Sequence, residues 1–362
     1  MGNTGISARS LLLLVAALVI ISLAVGCAGA PAATPVPPTQ PAAPKAAASP
    51  IATAQASPTV PPKAERSYKI GVTMIVEHPV LTAMFNGFKD ELKAKGYVEG
   101  KNVEYEVKNA QGDITNATAI AKQFVNSKKD LIFAVGTPSI QAAARETKDI
   151  PIIYAGMTDP VAAGVAKTME KPGGNLTGNS DWVDPEDDLK LLKQALPEFK
   201  SIGTIFNASE ANSKSWVDRL DAVAKAQGLK VVSVPVANTG ELQMAAQSLA
   251  GQVDLIFIGP DNTVASGMEV VAKAANSAKK MTASINETDV DRGILIGLGV
   301  DYYKLGQMAG AQADQVLKGK NPGDMPVEKL TQLSISVNTK TQEALGVKIP
   351  ASVMANAKKV SK

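Results

Sequence analysis

From Lys69 to Ile75 the chain is apolar and β-branched with almost no polar alternation, the pattern of a strand buried on both faces of a parallel sheet. The period then changes. Leu81, Met84, Phe85, Phe88 and Leu92 fall on one face of a helix. Gly96, Gly100 and Asn102 end that helix and turn the chain into a second strand over Val103–Val107. The result is a βαβ unit, and its rhythm repeats. The spacing predicts a helix over Ile114–Val125, a buried strand over Asp130–Val135, a helix over Ile140–Thr147, then strands over Pro151–Ala155 and Leu176–Asn179. A second series opens at Pro185, a residue suited to the first turn of a helix. It predicts helix Glu186–Leu196, strand Ser201–Phe206, helix Trp216–Gln227, strand Lys230–Val234, helix Leu242–Ala250, strand Asp254–Gly259, one helix over Val264–Ala278 and strand Met281–Ile285. Strand Ile294–Gly299, helix Lys304–Leu317 and strand Leu333–Val337 complete the body.

The segment DLIFAVGTPS (Asp130–Ser139) is echoed by DLIFIGPDNT (Asp254–Thr263). Each is a buried strand running into a polar loop and a helix, which points to two lobes of like build. The expected fold is α/β, two doubly wound parallel-sheet lobes joined by hinge strands. We expect residues 66–180 plus about 300–330 in an N-terminal lobe, and 181–299 plus about 331–355 in a C-terminal lobe. Ligand sites in such sheets form beyond the carboxyl ends of the strands.

Composition narrows the function. A net charge of +3 with 20% charged residues gives no polyanion-binding surface, so nucleic acid is not an expected partner. Residues 1–27 read as a targeting segment: Arg9 precedes an apolar run from Leu11 to Val25, which is short for a membrane span. The run ends at Leu23-Ala24-Val25-Gly26-Cys27, which resembles the lipobox of bacterial lipoproteins, with alanine where those boxes usually carry leucine. The resemblance implies lipidation of Cys27, the sole cysteine. Residues 28–65 are rich in Pro and Ala without apolar periodicity and read as a disordered tether. One cysteine also excludes an internal disulfide, so the fold rests on its core.

The chemistry-bearing residues cluster in the strand-to-helix loops: His78, the one histidine, then Thr137 and Ser139, Thr158 and Asp159, Asn179, Ser180 and Asp181, Glu210 and Asn212, Asp261 and Asn262, and Tyr302. Each loop taken alone suits helix capping; several on one sheet edge suit a shared binding edge. No G-x-G-x-x-G follows the first strand, and no P-loop or G-x-S-x-G is present. One His and one Cys do not make a Cys/His zinc site. No cofactor is expected, and the chain reads as a non-enzyme.

The ordered motifs EHP (Glu77–Pro79), GYVEGKNV (Gly96–Val103), NAQGD (Asn109–Asp113), GTPS (Gly136–Ser139), TDPVAAG (Thr158–Gly164), PGGNLTG (Pro172–Gly178) and SD (Ser180–Asp181) resemble the substrate-binding lipoproteins of ABC importers. The subgroup is the one that includes tryptophan- and other aromatic amino-acid-binding proteins. Glu210–Ser213, Asp261–Asn262, DYYKLG (Asp301–Gly306) and VLKGKNP (Val316–Pro322) extend the likeness, which spans Lys69 to about Pro350. It implies the type I periplasmic-binding-protein fold and an extracytoplasmic receptor, tethered to the membrane by its lipid. Such a receptor passes a small solute, most simply an amino acid, to permease subunits. For a zwitterion, Thr137–Ser139 and Asn179–Ser180 suit the carboxylate, and Asp261 or Asp181 suits the ammonium. Tyr302 or Tyr154 would offer an apolar face. The alternative is a sensory lipoprotein that presents its bound solute to a signalling partner.

Overall fold

A computed structural model describes residues 66–361. The targeting segment, Cys27 and the tether lie outside the described residues. Two sheets dominate. The first contains β1 (Tyr68–Met74), β2 (Val103–Asn109), β3 (Leu131–Val135), β4 (Ile152–Ala155) and β5 (Leu176–Ser180). Its helices are α1 (Pro79–Ala94), α2 (Ile114–Asn126) and α3 (Thr137–Glu146). After α4 (Pro185–Ala195), the second sheet is built from β6 (Ser201–Phe206), β7 (Lys230–Pro235), β8 (Leu255–Ile258), β9 (Met281–Ser284) and β10 (Ile296–Gly299). Between these strands run α5 (Ala211–Ala226), α6 (Leu242–Ala250), α7 (Asn262–Ser266) and α8 (Met268–Ser277). The chain then returns through α9 (Tyr302–Leu317) to β11 (Glu328–Lys329). It ends in β12 (Ser334–Asn338), α10 (Thr339–Leu345), α11 (Ala351–Asn356) and β13 (Lys359–Ser361).

The strand orders are β11-β5-β4-β3-β1-β2 and β13-β12-β10-β9-β8-β6-β7. Pairing is parallel throughout, except that β12 runs antiparallel to β10, because the last passage between sheets enters the second sheet from the hinge. Strand alternation explains the layers. On β3, Leu131, Phe133 and Val135 join one core with α1 and α9, while Ile132 and Ala134 join another with α2 and α3. On β8, Leu255 and Phe257 face α4 and α5, and Ile256 and Ile258 face α6 and α8. Each sheet is therefore covered on both faces, as its unbroken apolar strands require.

The single helix expected over Val264–Ala278 is two helices. They break at Gly267, where a Cβ would lie 2.4 Å from Leu242 Cδ1. The close approach of α6 thus needs a glycine here, and the helix is interrupted where it falls.

Candidate functional site

In both sheets the strand order reverses, between β1 and β3 in the first and between β6 and β8 in the second. Loops at such a reversal splay apart and leave a crevice. The two crevices face each other across one cavity. The first lobe contributes His78 after β1, Gly136 and Thr137 after β3, and Gly156 and Thr158 after β4. The second contributes Asn212, Pro260, Asp261, Asn262, Ile285 and Asn286. Two passages between the sheets add Asp181 and Tyr302, and Val80, Leu81, Met84 and Ala265 supply apolar wall. The lobes meet here: a Cβ on Gly136, whose φ is +84°, would lie 3.3 Å from Asn262 Oδ1.

Four polar side chains converge on this cavity, each with a buried atom that has no hydrogen-bond partner. These atoms are both ring nitrogens of His78, Thr137 Oγ1, Asp181 Oδ1 and Asn212 Oδ1. Other such atoms, on Thr73, Thr204 and Ser336, lie on strands inside the lobes. Local structure explains why these four are available. His78 is the N-cap residue of α1, yet its side chain makes no capping bond, and Thr137 opens α3 behind an N-cap, Gly136, that has no side chain to offer. Asn212 donates from Nδ2 to Pro260 O at 2.8 Å, which leaves its carbonyl oxygen free. Burial lowers the His78 pKa to about 4, against the adjacent Asn262 amide, so the ring is neutral with one donor and one acceptor. Burial raises the Asp181 carboxyl to about 6, although the Thr158 and Tyr302 hydroxyls lie beside it. Burial also raises the Tyr302 phenol, with the Asp181 charge adding to it. No Lys or Arg lines the cavity.

Of the residues singled out in the sequence, the structure brings His78, Thr137, Thr158, Asp181, Asn212, Asp261, Asn262 and Tyr302 together around the cavity. Asp261 does not serve as an open acceptor. Its Oδ1 takes the Val264 N–H at 2.8 Å, and its Oδ2 takes Asn207 N and Ser213 Oγ, each at 2.5 Å. Burial holds it above the usual carboxylate range, and the neighbouring Glu210 charge adds to that.

Six others lie outside this lining. Glu210 lies outside the lining and braces α7, accepting from Asn262 N and Thr263 N at 3.0 Å. Asn179 joins Gly156 N to Leu305 O, at 3.0 and 2.8 Å, and so positions α9. Ser180 donates to Thr158 O at 2.9 Å, and Asp159 accepts from Ala162 N at 2.9 Å. Ser139 is buried within α3 away from the cavity, and Tyr154 belongs to the core beneath β5. The sequence reading missed Gly136, Gly156, Asn286 and the apolar wall. Gly156 carries a signal, since a Cβ there would meet Met84 Sδ at 2.7 Å, but that signal is visible only in three dimensions.

A cavity of this kind, between two lobes and lined by unpartnered donors and acceptors, suits a small polar solute. The family described as ABC transporter substrate binding protein matches residues 69–361. The chain belongs to that family. A tyrosine-binding protein of Clostridioides difficile (strain R20291) is 43% identical to this substrate-binding protein over 281 residues, 78% of this chain and 81% of the relative. Among solved structures, the ABC domain in complex with L-Trp from Streptococcus pneumonia is 36% identical, with coverage of 81% of this chain and 99% of that one and a TM-score of 0.78. The ligand-free, open structure of a Clostridium difficile substrate binding protein with adhesive properties is 41% identical, with coverage of 82% and 99% and a TM-score of 0.63. Leucine- and arabinose-binding proteins at 11% and 14% identity share the type I periplasmic-binding-protein fold alone. Like its relatives, this substrate-binding protein is a solute binder and not an enzyme.

Proposed function

We propose that this substrate-binding protein captures a free aromatic L-amino acid outside the cytoplasm and hands it to the permease of an ABC importer. The observation that carries the reading is the set of four unpartnered polar side chains around one cavity. Each such buried group costs about 1–3 kcal/mol when left unmet, and an amino-acid zwitterion meets them all. Its ammonium donates to Asp181 Oδ1 and Asn212 Oδ1. Its carboxylate accepts from the Thr137 hydroxyl and the His78 N–H. The side chain lies against Val80, Leu81, Met84, Ala265 and Ile285, where the Met84 thioether suits an aromatic ring edge. Relatives named for tyrosine or solved with L-Trp support the aromatic class. The TM-score is higher against the L-Trp complex than against the ligand-free open structure, despite lower identity. That ranking fits lobes closed around a ligand. We assign membrane attachment to Cys27, which acyl mass on the mature N-terminus would test.

Calorimetric titration with the common amino acids tests the ligand. Tyrosine, tryptophan or phenylalanine should bind, and N-acetyltyrosine, which has no ammonium, should not. Equal binding of the acetylated and free forms would remove Asp181 from its role.

A further inference from the structure

Beside the site lies a second, roomier cavity. Asn262 lines both. Both lobes enclose the second cavity: Glu77, Asn109 and Gln111 from one, Asn238, Thr239 and Ser266 from the other. Its polar groups differ in kind from those of the first. Asn109 Oδ1 accepts from Gln111 N at 2.7 Å, and Asn238 Oδ1 accepts from Gly240 N at 2.9 Å. Ser266 Oγ donates to Thr263 O at 2.8 Å. Each bond stays within its own lobe, so the outer cavity offers room without a set of directed partners. Its charged lining residues are Glu77 and Glu210, with no Lys or Arg.

The placing of charge in the inner cavity orients a ligand relative to the outer one. Asp181, the acceptor for an ammonium, lies near Gly156, whose Cβ position is 3.6 Å from Asp181 Oδ2, and takes no part in the outer cavity. The donor His78 adjoins Asn262, which lines the outer cavity as well, and Gly136, next to Thr137 in the chain, comes within 3.3 Å of the Asn262 side chain at its Cβ position. Both are neutral, and the cation felt at His78, Arg292, is held by Glu269 and Asp289 and lines neither cavity, so a peptide carbonyl satisfies them as a carboxylate does.

We propose that the two cavities form one elongated site. The protein then also takes amino acids extended at the carboxyl group, in the simplest case dipeptides with a free aromatic N-terminal residue and the second residue in the outer cavity. The inference rests on the amino-acid reading above. The acidic outer walls select a neutral or basic second residue over an acidic one.

Calorimetric titration of the mature protein with L-tyrosine, L-tyrosyl-L-lysine and L-tyrosyl-L-glutamate, beside the variant Thr239→Trp, tests it. Thr239 is exposed on the outer wall, so the indole fills that cavity without entering either core. The expected result is tyrosyl-lysine within about tenfold of tyrosine, and tyrosyl-glutamate at least about tenfold weaker than tyrosyl-lysine. Thr239→Trp should weaken tyrosyl-lysine at least about tenfold and leave tyrosine unchanged. Tyrosine binding without tyrosyl-lysine overturns the elongated site alone, as does a Thr239→Trp variant that weakens both ligands equally. Binding of none of the three overturns the amino-acid reading and the elongated site together.

Discussion

Asp181 and Asp261 both line the cavity, and their hydrogen bonds separate them. Asp261 has both oxygens engaged by Asn207, Ser213 and Val264, whereas Asp181 keeps Oδ1 unpartnered. An ammonium on Asp181 favours its ionised form, and burial raises the free carboxyl to about 6. Affinity should therefore rise with pH up to about 6 and level off above, because binding at lower pH must release a proton. Asp181→Asn should bind roughly ten- to hundredfold more weakly at neutral pH, and its affinity should lose that slope. A variant that keeps the slope would place the titrating group elsewhere. The stability of the ligand-free protein runs the other way. A carboxyl whose folded pKa is raised contributes stability below its unfolded value of 3.8, which is lost as pH climbs to about 6. Sequence alone located both aspartates in loops and put Asp261 ahead of Asp181 as the ammonium acceptor. The partners that occupy Asp261 come from Asn207 and Ser213, roughly 50 residues away along the chain, and no local pattern reports them.

At the scale of elements, strands were readable because burial on both faces leaves an unmistakable apolar run. The echo of β3 in β8 extends to function. Asp130 accepts Lys69 N at 2.8 Å and Asp254 accepts Lys200 N at 2.9 Å, so each aspartate braces the entry to its sheet, and the loop after each strand lines the cavity. Contacts between helices were less readable. In a sequence, a helical glycine registers only as a poor helix former. Here Gly87 and Gly306 let α1 and α9 touch backbone to backbone, since Cβ atoms would lie 2.1 Å from Tyr303 O and 2.0 Å from Met84 O. That contact seats the first residue of α9, Tyr302, beside Asp181. Gly306→Ala should cost at least about 2 kcal/mol through overpacking and weaken ligand binding as well. Gly251→Ala is the control: the nearest atom to a Cβ there is Ser248 O at 3.7 Å, so its melting temperature should barely move. Equal melting temperatures for the two variants would show that the helices separate without cost.

For the molecule as a whole, the chain passes between the sheets after β5, after β10 and after β11. Two lobes on three strands can rotate as bodies, and a ligand that touches both lobes favours their closed arrangement. The two-lobe architecture was readable from the repeated βα rhythm. The sequence reading placed residues of about 300–330, and so α9, with the N-terminal lobe, a choice that its amphipathic pattern alone does not dictate, since either sheet offers an apolar face for such a helix to cover. Its glycines and Asn179 settle the choice, through the contacts with α1 and the bond from Asn179 Nδ2 to Leu305 O at 2.8 Å.

That return of α9 has a consequence for synthesis. The core beneath β1 and β3 includes Val300, Leu305, Ala309, Ala313 and Met325, and β11 closes the sheet edge beside β5. All of these leave the ribosome after most of the second lobe. A growing chain therefore carries an unfinished first lobe, with apolar strand faces still uncovered, until about residue 329. A fragment of residues 66–184 should show no cooperative melting by circular dichroism, and a fragment joined directly to residues 300–329 should regain it. A sharp transition in the shorter piece would mean that the first lobe folds without waiting for its last helix.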